Sequence, residues 1–120
     1  MAGEVLLVLS TFPDVATARR IGRQLVEEHC AACANILGQV ESIYWWEKKV
    51  ESANETLVLF KTTADRYAAL ETTLKQLHPY DVPEIIALPV TAGLSAYLDW
   101  VAENCRAGDV EGRAPSRPCL

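Results

Sequence analysis

Histidine is scarce in this chain of 120 residues: only His29 and His78 occur. No Walker loop, GxGxxG turn, GxSxG elbow or HExxH helix is present, and Ser10 has no base near it in the sequence. An enzyme is therefore not expected. Cations are also short, with 11 Lys and Arg against 16 Asp and Glu, for a net charge of −5. Phosphate-bearing partners need a surplus of cations on at least one face, so neither nucleic acid nor an anionic membrane is an expected partner. No apolar run approaches the ~18 residues that a bilayer-crossing helix needs. The opening MAGEVLLVLST places an acid before a five-residue apolar stretch, whereas a secretory leader starts basic and stays apolar for longer. The cytoplasm is the expected location. Four cysteines (Cys30, Cys33, Cys105 and Cys119) are too few for a disulfide scaffold, and Cys119 lies too near the end for a prenylation box.

What is present describes one globular domain. The chain weighs 13.2 kDa, is 50% hydrophobic and 22% charged, and at that size it can bury a real core. Val5 to Leu9 is an unbroken apolar run and reads as a strand buried on both faces. Asp14 is a good N-cap for an amphipathic helix whose inner stripe is Ala18, Ile21, Leu25 and Val26 and which ends near His29. Ile36 to Trp46 reads as a second strand interrupted by Gly38, a residue that marks a bend or a bulge there. Glu47, Lys48 and Lys49 form a hairpin tip, and Val50 to Thr63 a third strand. Asp65 is expected to cap a second helix along Tyr67, Leu70, Leu74 and Leu77, which His78 and Pro79 end. Ile85 to Val90 is a fourth strand, with Pro89 suiting a sheet edge. Ser95 is expected to cap a third helix with Leu98, Val101 and Cys105 inward, leaving a domain over 1–105 and a tail over 106–120.

The order β-α-β-β-α-β plus a helix is the α+β, ferredoxin-like arrangement. It lays both main helices on one face of an antiparallel sheet. Yet Leu57, Val58, Leu59 and Phe60 are apolar in succession, and neighbouring side chains on a strand point to opposite faces. The other face would expose an apolar patch that soluble monomers rarely carry, so an oligomer is expected.

Three motifs carry chemistry or packing. Cys30-Ala31-Ala32-Cys33 follows His29, but no second ligand pair completes a zinc site, and a helix C-terminus opposes a thiolate. Burial among small residues is the expected role. His78-Pro79-Tyr80-Asp81-Val82-Pro83-Glu84 sets a histidine, a tyrosine and carboxylates on a proline-stiffened connection. Imidazole and carboxylate together suit a divalent transition metal. The plainer reading is that His78 ends the helix and Glu84 pairs with Lys61. Tyr44-Trp45-Trp46 presents large apolar groups to both faces of the second strand and reads as interface packing.

Several ordered stretches over about residues 5–103 resemble the CutA divalent-cation-tolerance family. They are the first strand into Thr11 with Pro13-Asp14, Ala31-Ala32-Cys33-Ala34-Asn35-Ile36, Ser42-Ile43-Tyr44 with Trp46-Glu47, Lys61-Thr62-Thr63, His78-Pro79-Tyr80 with Pro83-Glu84, and Leu88-Pro89-Val90. The resemblance implies a homotrimer of ferredoxin-like subunits, no enzymatic activity, and tolerance of copper and other divalent ions. No cofactor is required; copper or another divalent cation is the implied ligand. His78 and Glu84 match the family's metal-associated positions, while the family's cysteine at the end of the first strand is Ser10 here. Losing that thiolate should weaken Cu(I) most and leave a site suited to Cu(II) or Zn(II). Ser10, Trp46, Lys61 and Tyr80 are expected to line a cleft between subunits. Likeness in architecture to the P-II signalling proteins makes a small-molecule sensor, or a protein-anchoring scaffold, the alternative. Lys48 replaces a glycine frequent at the family's hairpin tip.

Overall fold

The computed structural model describes residues 4–106; the expected tail, apart from Arg106, and Cys119 lie outside the described residues. The element order is β1 (Val5–Phe12), α1 (Val15–Glu27), β2 (Cys33–Trp46), β3 (Lys49–Thr63), α2 (Tyr67–Leu77), β4 (Ile86–Pro89) and α3 (Ser95–Asn104). The sheet runs β2-β3-β1-β4, and every neighbouring pair is antiparallel. β3 therefore lies between β1 and β2, and β1 between β3 and β4, so the two strand–helix–strand units interleave. β2 and β4 are the outer strands, and Pro89 lies on one of them, where no ladder needs its missing N–H.

Local chemistry explains the boundaries of α1. Asp14 Oδ1 accepts from the Thr17 amide at 2.7 Å, the expected N-cap. At the other end His29 adopts φ 59°, the left-handed position usually given to glycine. Its amide donates to Val26 O and that of Cys30 to Leu25 O, closing a Schellman turn. No basic residue lies in the last turn. The cation comes instead from Arg66, whose Nε donates to His29 O at 3.1 Å across the fold. Two other expected caps differ. Asp65 accepts from Thr63 Oγ1 and leaves Arg66 at the N-cap of α2, with no side-chain cap bond. Ser95 is the first residue of α3 rather than its cap, and Leu94 precedes it without a cap bond.

Gly38 does interrupt β2. Ile36 pairs with Val58 and Gln39 with Thr56, so β2 carries one residue more than β3 across this gap, a bulge with Gly38 at φ 87°. Beyond it, β2 and β3 continue as a two-stranded arm, which accounts for much of the 51 Å length of a molecule 26 and 24 Å across.

The core lies between α1, α2 and one sheet face. Val8, Phe12, Ile21, Leu25, Val58, Phe60, Leu70 and Leu74 are fully buried there. α3 covers only part of the opposite face, where Val5, Ala32, Val101 and Cys105 form a second cluster. Farther along that face Leu7 stands beside Leu88 and Leu9 beside Ile86, and Ile86 and Leu88 are half exposed. The apolar patch inferred from the strand sequences is real within one chain.

Candidate functional site

The turn after α2 is built around His78. The chain leaves the helix at this residue, and its ring folds back into the core with 7% exposure. Phe12 at the end of β1 stacks on it with centroids 4.7 Å apart and planes 19° apart; Tyr80 tilts against it at 4.8 Å. Nε2 lies 2.8 Å from Thr11 O. A carbonyl only accepts, so Nε2 carries the proton. Nδ1 accepts from the Tyr80 amide at 3.1 Å, which requires a bare lone pair there. The imidazole is thus neutral and fixed in one tautomer. Burial holds its pKa below 6.5, against the opposing pull of the Thr11 hydrogen bond and the Glu55 carboxylate.

Tyr80 carries this order on to β3. Its hydroxyl donates to Glu55 Oε2 at 2.7 Å, and burial, then that hydrogen bond, pushes the phenol pKa well above the usual tyrosine range. Glu55 stands where the arm leaves the sheet, opposite Val40. A chain of contacts therefore runs from Thr11 through His78 and Tyr80 to the root of the arm.

The other expected site residues are elsewhere. Ser10 is fully buried, and its Oγ has no hydrogen-bond partner among the described residues, so it presents no surface to a cleft. Glu84 is exposed on the connection to β4. Lys61 turns to α3, where Nζ donates to Tyr97 Oη at 3.2 Å and lies 5.4 Å from the ring centroid, rather than pairing with Glu84. Trp46 sits near the arm's tip at 59% exposure. Within one chain Ser10, Trp46, Lys61 and Tyr80 do not line a common cleft. Among the described residues no group of three His, Cys, Asp or Glu side chains is arranged to hold a metal ion.

The CxxC has the packing role. Cys30 belongs to the main core, while Cys33 donates to Asn35 Oδ1 and stands across from Lys61 on β3. Burial raises the Cys33 thiol pKa, opposed by Lys61, so the group is no activated thiolate. Two surface hollows border these motifs, at Cys33 and at Asp81 to Pro83. One of about 550 Å³ lies between α1, β2 and α3 beside Arg19, Arg23 and Trp100, and one of about 570 Å³ lies between α2 and residues 81–85. Arg66 and Glu55 were not singled out from the sequence. Glu55 had no signal, whereas the missing cation at the end of α1 called for a residue such as Arg66 from a distant segment.

Known proteins share this architecture. The model of the CutA1 divalent ion tolerance protein family matches residues 6–104. A divalent-cation tolerance protein CutA of Thermus thermophilus is 48% identical over 98 residues, 82% of this chain and 95% of that protein. A chloroplastic CutA 1 of Oryza sativa is 40% identical over 101 residues, 84% of this chain and 57% of the rice protein. Among solved structures, the Thermus thermophilus Cut A1 superposes with a TM-score of 0.82 at 47% identity, covering 83% of this chain and 97% of that one. CutA1 from Oryza sativa superposes with a TM-score of 0.86 at 37% identity, covering 89% and 98%. With a family model spanning nearly all the described residues and the same fold at this identity, the chain belongs to the CutA1 divalent ion tolerance protein family.

Proposed function

We propose that the protein serves divalent-cation tolerance as a non-enzymatic homotrimer of ferredoxin-like subunits, acting in metal homeostasis or signalling in the cytoplasm. One observation carries the assembly. Ile43, Trp45, Trp46 and Val50 on the arm are between 59% and 74% exposed, and the sheet face bearing Ile86 and Leu88 is open as well. Apolar surface of this extent marks an interface, and among the described residues both outer strands of the sheet keep a free edge for a neighbour to pair with.

The residues implied for copper do not fit a site within one chain, because His78 has both ring nitrogens engaged and Ser10 is sealed in the core. Glu84 alone of that set is open to solvent, so an ion meets it together with groups of a neighbouring subunit.

Two measurements test the reading. Light scattering coupled to gel filtration should give three times the 13.2 kDa chain mass; a single-chain mass rejects the trimer. Titration of Cu(II) and Zn(II) against a competing chelator should show binding that Glu84→Gln weakens. Identical curves for wild type and variant reject Glu84 as a ligand.

A further inference from the structure

We infer that His78 in this protein is a positioning residue that fixes Tyr80 on Glu55, and not a metal ligand. The inference refines the cation reading above but stands on the hydrogen bonding of one imidazole.

A metal takes an imidazole through an in-plane nitrogen lone pair, and the opposite N–H is then held by a carbonyl or a carboxylate. Half of this pattern is present, since Nε2–H donates to Thr11 O at 2.8 Å. The other half is closed. Nδ1, the only nitrogen left for an ion, accepts the Tyr80 amide at 3.1 Å. Its own chain thus occupies the metal position, two residues downstream. Placing an ion there would mean turning the Tyr80 N–H away, and with it the start of the connection that Pro79 and Pro83 stiffen. Phe12 and Tyr80 pack against the ring at 4.7 and 4.8 Å, so swinging it out to meet an ion would break both contacts. The remaining implied ligands offer no compensation. Ser10 supplies a hydroxyl instead of a thiolate and is wholly buried, and Glu84 is exposed with no third ligating group beside the pair among the described residues.

The same bonds give the residue a different task. The Thr11 bond ties the ring to the end of β1, and the Tyr80 amide then begins the turn from that fixed point. The Tyr80 hydroxyl reaches Glu55 Oε2 at 2.7 Å as a result. His78 therefore sets where the connection carrying Glu84 leaves the core, through the backbone rather than through an ion.

With only two histidines in the chain, nitrogen NMR reads this directly. Long-range proton–nitrogen spectra of the uniformly labelled protein, and of a His29→Gln variant that leaves a single imidazole, should show His78 as the neutral Nε2–H tautomer. Addition of Zn(II) alone should leave both its nitrogen shifts in place. A Zn(II)-dependent shift of Nδ1 or Nε2, or the opposite tautomer without metal, overturns the inference. The second readout is Zn(II) affinity by chelator competition. A folded His78→Phe variant should still bind Zn(II) in competition with the chelator, since an outer positioning group changes metal affinity by about 10–100-fold at most, whereas complete loss of binding in the folded variant sinks the proposal. If Zn(II) binds nowhere on the chain, the cation reading fails, while the tautomer still decides the role of His78.

Discussion

Ser10 holds a fully buried hydroxyl with no hydrogen-bond partner among the described residues, a group that costs about 1–3 kcal/mol to leave unmet. A thiol tolerates that environment, since free cysteine packs as a small apolar group. Ser10→Cys should therefore raise stability by about 1 kcal/mol, read as a higher urea midpoint at fixed protein concentration; a lower midpoint would mean that the site has no room for sulfur. His78 is the opposite case, buried but satisfied at both nitrogens. Replacing it with Ala strands Thr11 O and empties the space beside Phe12, a loss of about 2–4 kcal/mol. Its depressed pKa also ties stability to pH. Between the folded value and the ordinary 6.5 the unfolded chain binds more protons, so stability rises with pH across that window. The contribution is complete above about pH 6.5 and declines as pH falls from there to the folded pKa. Urea midpoints measured on both sides of the window should differ in wild type, and the difference should shrink in His78→Phe. An equal difference in both would place the sensitivity in another group.

The two elements most dependent on backbone conformation are the end of α1 and the tip of the arm. His29 at φ 59° closes α1 without glycine, and Arg66 supplies the hydrogen bond and the cation that the last turn lacks. Arg66→Ala should cost about 1 kcal/mol through that orphaned helix end, visible as a lower thermal midpoint at neutral pH; no change would show that water replaces the guanidinium. At the tip, Glu47 and Lys48 have φ 49° and 68°, the twisted two-residue turn that strands of this hand prefer. The sequence put the conformation of this tip in question because Lys48 stands where glycine is frequent. The structure keeps the turn and places lysine in the left-handed region. Lys48→Gly should relieve about 1 kcal/mol of that strain, so the variant should be more stable than wild type in chemical denaturation. A less stable variant would mean that the added freedom of glycine in the unfolded chain outweighs the relief.

At the scale of the molecule, the exposed arm and the half-open sheet face set the prediction. An assembly that covers them unfolds and dissociates together, and its thermal midpoint rises with protein concentration. Trp45, 74% exposed within one chain, should lose most of that exposure on assembly. Trp45→Ser should consequently lower the midpoint and shift the mass distribution in analytical ultracentrifugation toward smaller species. Unchanged mass and midpoint would remove the arm from the interface and leave the sheet face as its only basis.

Composition, periodicity and turn chemistry determined the order of elements, the Asp14 cap, the break at Gly38 and the existence of an uncovered apolar face, because each is decided by neighbours within a few residues or by strict alternation. The missed caps at Asp65 and Ser95 mark the limit of that reasoning, since a capping side chain competes with other local acceptors and with the packing of the helix. The site depended on longer-range facts. The sequence places His78 and Glu84 on one proline-stiffened segment and Ser10 at the end of a strand, which suggested ligands around a shared space. Only the tertiary structure decided that Ser10 points under the helices, that Lys61 belongs to Tyr97, and that the Tyr80 amide fills the free nitrogen of His78. Which lone pair of an imidazole stays open depends on the donors and acceptors folding brings within hydrogen-bond reach of it, and Thr11 lies 67 residues away in the chain.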